Sequence, residues 1–149
     1  MAIRTIIHEG DDLLLKHSRA VTDFDERLHV LLDDMAETMH KAEGVGLAAV
    51  QVGSLRRAVV IDVGEGVIEL INPVITEQKG VQETDEGCLS LPGKLGLTRR
   101  PNVVTVEYLD RYGDPHTITG KGLLAKAFCH EIDHLDGILF TEHVIRWEN

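Results

Sequence analysis

Apolar residues recur at Leu28, Leu31, Leu32, Met35 and Met39, in steps of three and four that turn one face of a helix toward a core. Asp23 or Asp25 supplies a start signal and Gly44 a stop. Upstream, residues 11–16 behind Gly10 read as a short helix. Over residues 57–63 the pattern changes to a continuous, β-branched apolar run, which is that of a buried strand. Gly64-Glu65-Gly66 has the length of a hairpin turn and leads into a second strand over 67–74, with 75–83 as its continuation. Residues 103–109 alternate, and the turn 110–114 leads back into a strand over 116–119. Gly122 opens a helix to about Asp136, stopped by Gly137. Residues 44–53 carry three glycines and no alternation, so a tight loop or irregular strand is expected there. Helix, antiparallel strands, helix is the order of an α+β fold.

The chain has 149 residues, enough for one core, and shows no repeat, linker or low-complexity tract, so a single catalytic domain over 1–149 is expected. Its formal net charge is −10, which disfavours DNA or an anionic membrane surface as partner. The basic doublets Arg56-Arg57 and Arg99-Arg100 read as solvated surface. No stretch has the roughly 20 apolar residues of a membrane span, and the first residues lack the pattern of a secretory leader. A cytoplasmic location, in a bacterial cytosol or an organelle stroma or matrix, is the expectation. In a reducing compartment Cys88 and Cys129 would stay unpaired.

The chemistry starts at His130-Glu131-Ile132-Asp133-His134, an H-E-x-x-H segment within the second helix. Histidines at i and i+4 share a helical face, so two imidazoles can converge on one metal ion. The glutamate at i+1 projects beside them, where it can reach a metal-activated water without being a ligand. In a chain with eight histidines, chance alone would give such a match about 4% of the time. Position around the helix adds weight. At about 100° per residue, His134 falls about 40° from His130, with Leu123 at about 20°, Ala127 at about 60° and Glu131 at about 100°. Lys126, Asp133 and Asp136 fall on the far, charged side.

A catalytic metal needs a third protein ligand. Cys129 lies at about 260° on the same wheel, far from the histidine face, and reads as a packed thiol. Cys88 lies in Glu86-Gly87-Cys88-Leu89-Ser90, which could approach the site, though a core cysteine in a strand fits the same pattern. His8, His17, His29, His40, His116 and His143 are scattered and read as surface residues.

Three segments together resemble the peptide deformylase family. They are Gly44-Val45-Gly46-Leu47-Ala48-Ala49-Val50-Gln51, Glu86-Gly87-Cys88-Leu89-Ser90 and His130-Glu131-Ile132-Asp133-His134-Leu135-Asp136-Gly137, in the family's order. The resemblance implies antiparallel strands in small sheets packed around a central C-terminal metal-binding helix, with an N-terminal helix. It implies hydrolysis of the formyl group from N-terminal formylmethionine on nascent peptides, and leaves open a transient ribosome contact. By the same match Cys88, His130 and His134 are the metal ligands and Glu131 is the acid–base catalyst. Gln51 and the Leu89 N–H stabilise the oxyanion formed when hydroxide attacks the formyl carbon. One divalent metal is implied, typically Fe(2+), while the thiolate and imidazole donors also suit zinc, nickel or cobalt.

Gly44, Gly46 and Gly87 leave backbone open for an extended peptide to add as a strand. Val45, Leu123 and Ala127 would line an apolar pocket for methionine, and Glu86 would touch substrate or orient a neighbour. Cys129 stands where many members have Gln, and Lys126 where an apolar residue is common. Two rivals remain: a zincin-like metalloprotease, whose third ligand would come from Glu142, His143 or Glu148, and a non-catalytic metal-binding domain. The second gives neither Glu131 nor Gln51 a task, since holding a metal needs neither.

Overall fold

A computed structural model describes residues 2–149. Asp25 caps the first long helix, α1 (Glu26–Lys41), its carboxylate accepting from the Leu28 N–H at 3.1 Å. The helix closes with the Glu43 N–H on the His40 carbonyl and the Gly44 N–H on the Met39 carbonyl, at 3.1 and 3.0 Å. Leu28, Leu31, Leu32, Met35 and Met39 are all buried, and burying each such side chain stabilises the fold by roughly 1.5–3 kcal/mol.

These residues pack on a five-stranded antiparallel sheet. Its strands are β1 (Gly46–Ala48), β2 (Ala58–Ile61), β3 (Ile68–Lys79), β6 (Val103–Leu109) and β7 (Pro115–Lys121), in the order β1-β2-β3-β6-β7. Strand β2 is buried on both faces, which explains its unbroken apolar run. Ala58 and Val60 join the core under α1, whereas Val59 and Ile61 face the second helix, α2 (Leu123–Leu135). A smaller antiparallel sheet holds β4 (Gln82–Cys88), β5 (Leu91–Arg100) and β8 (Val144–Trp147), in the order β4-β5-β8. It sits on the other side of α2, tied by Arg100 to Asp133 and by Lys126 to Thr84. The α+β expectation holds, with the metal-motif helix between two small sheets.

Several boundaries differ from those read in the sequence. Residues 75–83 do not form one continued strand: β3 ends at Lys79, Gly80 turns at φ 67, and Gln82 starts β4 in the other sheet. Residues 44–53 resolve into the short strand β1 and a 3-10 turn, Ala49–Val52. A second 3-10 turn, Asp12–Leu15, stands where a short helix was expected, capped by Asp11. Gly137 is required where it stands. It takes φ +74 at the end of α2, and a Cβ there would collide with the Leu15 carbonyl. Among the described residues no helix is long and apolar enough to cross a membrane.

Candidate metal centre

The C-terminal half of α2 turns His130 and His134 toward the second sheet, with ring centroids 5.0 Å apart. Cys88, the last residue of β4, puts its Sγ 3.3 Å from His134 Nε2. One donor atom from each of Cys88, His130 and His134 lies within 4.8 Å of the others. A thiol and two imidazoles at that separation suit a tetrahedral ion with one position left open. Among the described residues this is the single cluster of its kind, and Glu142, His143 and Glu148 are not in it. His143 Nε2 lies 3.1 Å from Asp133 instead.

Glu86 fixes the first imidazole. Its Oε2 sits 2.5 Å from His130 Nδ1, so in the neutral ring Nδ1 donates and Nε2 keeps its lone pair. Thr98 and Arg100 donate to the same carboxylate, at 2.8 Å to Oε1 from Thr98 Oγ1, and at 3.0 and 2.7 Å from Arg100 Nε and Nη2. Burial would raise the Glu86 carboxyl, but the bonds from His130 and Arg100 outweigh it and hold it well below the usual carboxylate range. Of the two roles read for Glu86, its carboxylate fits orientation of a neighbour, since both oxygens are already engaged.

The other groups are tuned by burial. It pushes His134 down to about 3, with the charge of His130 adding to the effect, so that this ring is neutral and able to bind a metal. His130 goes the other way: burial lowers it, but Glu131, Cys88 and Glu86 raise it further. A bound cation would compete with that proton. Burial lifts the Glu131 carboxyl to about 7. Its Oε2 lies 4.0 Å from His130 Nε2, and its buried Oε1 has no hydrogen-bond partner. An orphaned carboxylate oxygen beside three metal-type donors fits a centre that handles a metal and a proton together.

Gly46 faces this carboxylate. A Cβ built on Gly46 would lie 2.5 Å from Glu131 Oε2, so only glycine allows β1 so close. Gln51 follows in the 3-10 turn. Its Oε1 accepts from the Ala48 N–H at 2.9 Å, which fixes the amide so that Nε2 donates to Ser90 Oγ at 3.0 Å and lies 3.6 Å from Cys88 Sγ. Leu89, in the turn between β4 and β5, covers Gly44, where a Cβ would meet Leu89 Cδ1 at 2.6 Å.

These groups line a cavity of about 450 Å³. Val45, Gly46, Gly87, Leu123 and Ala127 are among its lining residues. Val45 is 42% exposed and Leu123 46%, so both face the cavity and not the core, whereas Ala127 is buried. Strands β1 and β4 are edges of their sheets, each paired on one side only.

One sequence reading of the charged residues needs correction. Arg100 is not solvated surface: it is buried and bridges Glu86 and Asp133. Its signal was the alternation within β5, where Thr98 and Arg100 point in and Arg99 points out. On the charged side of α2, Asp133 pairs with Arg100 and His143, and Asp136 pairs with Arg57. Lys126 does line the cavity, its ammonium held by Thr84 Oγ1 and the Asp85 carbonyl at 3.0 and 2.8 Å. Ser90, buried and bonded to Gln51, had no assigned role. Cys129 is the packed thiol the wheel indicated, pushed up to about 11 by burial.

The family model described as polypeptide deformylase matches residues 3–149. A peptide deformylase from Acetivibrio thermocellus is 61% identical over 99% of this chain and 86% of its own length. One from Alkaliphilus metalliredigens is 58% identical over 98% of this chain and 99% of its own. Among solved structures, the Thermotoga maritima peptide deformylase matches with a TM-score of 0.95 at 38% identity, covering 97% of this chain and 99% of that one.

Proposed function

Because the chain belongs to the peptide deformylase family of enzymes, we propose that it removes the formyl group from N-terminal formylmethionine on newly made polypeptides. The observation that carries this reading is the Cys88, His130 and His134 donor cluster beside one cavity into which Cys88, His130, an unpartnered Glu131 carboxylate and an oriented Gln51 amide open. Cys88, His130 and His134 would hold one divalent metal, with Fe(2+) the first choice and zinc, nickel or cobalt also suited to the donors. When bound, that metal supplies the Lewis acidity that makes water a nucleophile near neutral pH.

The remaining work falls to this chain's own side chains. Glu131, raised by burial toward neutrality, takes the proton from the attacking water and passes it to the leaving amine. Gln51 Nε2 and the Leu89 N–H donate to the carbonyl oxygen as it gains charge, each worth roughly 3–4 kcal/mol. Glu86 keeps His130 in the tautomer that presents Nε2. The peptide adds as a strand along the open edges of β1 and β4 at Val45, Gly46 and Gly87. Methionine then enters the side pocket between Leu123 and Ala127, with the apolar stem of Lys126 as its wall. The working location is the cytoplasm, where formylated nascent chains arise.

The test is release of formate from formyl-Met-Ala-Ser by the anaerobically purified, metal-analysed protein, set against cleavage of an internal peptide bond. Formate release with the peptide bonds intact is expected. Cleavage of internal bonds alone would put a metalloprotease in its place.

A further inference from the structure

The segment before the Asp12–Leu15 turn bonds both to Gln51 and to the turn between β4 and β5 that carries Leu89. It is anchored upstream on α1, where the Arg4 N–H donates to Thr38 Oγ1 at 2.9 Å and Arg4 Nε to Asp34 Oδ2 at 3.0 Å. It then runs between the two sheets. The Ile7 N–H donates to the Gln51 carbonyl and the Glu9 N–H to the Ser90 carbonyl, both at 2.8 Å. Those two acceptors belong to residues whose side chains are themselves bonded, Gln51 Nε2 to Ser90 Oγ.

The side chains repeat the pattern. Ile6 packs against the core under α1, on which Leu89 also rests. Ile7 packs against the cluster of Leu14, Leu91, Leu139 and Phe140, on which Cys88 rests. Glu9 pairs with Lys94, a residue of the cavity wall, at 2.6 Å. Two residues of extended chain span about 6.6–7 Å, so this segment sets the gap between the backbone that carries Gln51 and the backbone that carries Cys88 and Leu89.

We infer that residues 6–9 are a positioning strap, which holds the Gln51 amide and the Leu89 N–H at the spacing the developing oxyanion requires. Ile7 and Glu9 act through Gln51 and the Cys88–Ser90 turn and touch no substrate themselves. The inference rests on the oxyanion role proposed for Gln51, and it predicts an effect on the chemical step beyond any effect on folding. A misplacement of about 1 Å in such a constellation lowers the rate by about a hundredfold.

The experiment is a double-mutant cycle on the metal-loaded full chain, reading kcat, KM and metal content with formyl-Met-Ala-Ser. Ile7→Ala should lower kcat by about ten- to a hundredfold, with KM changed by less than about threefold and metal per chain unchanged. Glu9→Pro, which removes the N–H, should cost at least about tenfold more in kcat than Glu9→Ala, which keeps it. In a Gln51→Ala background the Ile7→Ala loss should shrink to less than about threefold, because without the Gln51 amide its spacing from the Leu89 N–H no longer matters. Equal losses in both backgrounds, or a loss that follows metal content, would overturn the strap. Should Ile7→Ala not fold, Ile7→Val enters the same cycle. Full turnover by Gln51→Ala alone would instead remove Gln51 from the mechanism, an outcome distinct from additivity in the cycle.

Discussion

Replacing Arg100 with methionine removes the guanidinium and keeps most of the side chain's length. Glu86 would lose two bonds, at 3.0 and 2.7 Å, and Asp133 would lose one at 2.9 Å. The side chains of Arg100 and Glu86 are 3% and 4% exposed, so water cannot replace what is lost. Removing one partner of a buried pair costs about 3–5 kcal/mol. At about 2–4 °C per kcal/mol for a domain of this size, Tm should fall by about 6–20 °C. The effect has a sign with pH. Glu86 is held below its ordinary 4.5 in the folded protein, so it contributes stability above that pH and loses it as pH falls toward the depressed folded value. Without Arg100 the part of that contribution owed to its bonds is gone while the part from His130 stays, and the gap between the variant and the natural protein should be widest at neutral pH and narrow in acid. Thermal unfolding of the metal-free proteins from pH 2.5 to pH 8 reads both features. Arg100→Lys should recover only part of the loss, because one ammonium cannot fork across a carboxylate. A Tm change under about 2 °C at pH 7, or a loss constant across pH, would refute the reasoning.

Other consequences can be measured the same way. Gly46→Ala puts a methyl 2.5 Å from Glu131 Oε2, so kcat should drop by about tenfold to a hundredfold with an unchanged circular dichroism spectrum; turnover within a factor of about two would show that Glu131 has room to move. In the metal-free protein the unfolded chain ionises Glu131 near 4.5 while the folded one holds the proton to about 7. Glu131 therefore removes stability as pH rises through that window. Glu131→Gln should flatten the fall and be the more stable protein at pH 8, and parallel stability curves would contradict this.

The sequence made legible those elements whose residues repeat with one clear period. The stripe of Leu28 to Met39 and the α2 stripe fixed two helices, and the run at β2 and the alternation at β6 fixed the large sheet. The small sheet escaped for a physical reason. In β4 the inward position is Glu86, a buried carboxylate, and its neighbour is Gly87, so no apolar alternation marks the strand. In β5 the inward positions include Thr98 and Arg100. Buried ionic networks look like surface in one dimension, because only the fold brings Glu86, Arg100 and Asp133 together. The candidate site was legible where side-chain spacing on one helix sufficed, at His130, Glu131 and His134. Cys88 and Gln51 came from resemblance to known motifs, and the Ser90 and Arg100 contacts required the fold.

The central claim is that Glu131 moves the proton beside a metal held by Cys88, His130 and His134. Turnover of formyl-Met-Ala-Ser by Glu131→Gln, measured at the same metal content per chain as the natural protein, tests it most directly. The account predicts full metal retention with kcat lowered by about 10²–10⁴. Retained turnover at equal metal content would contradict it.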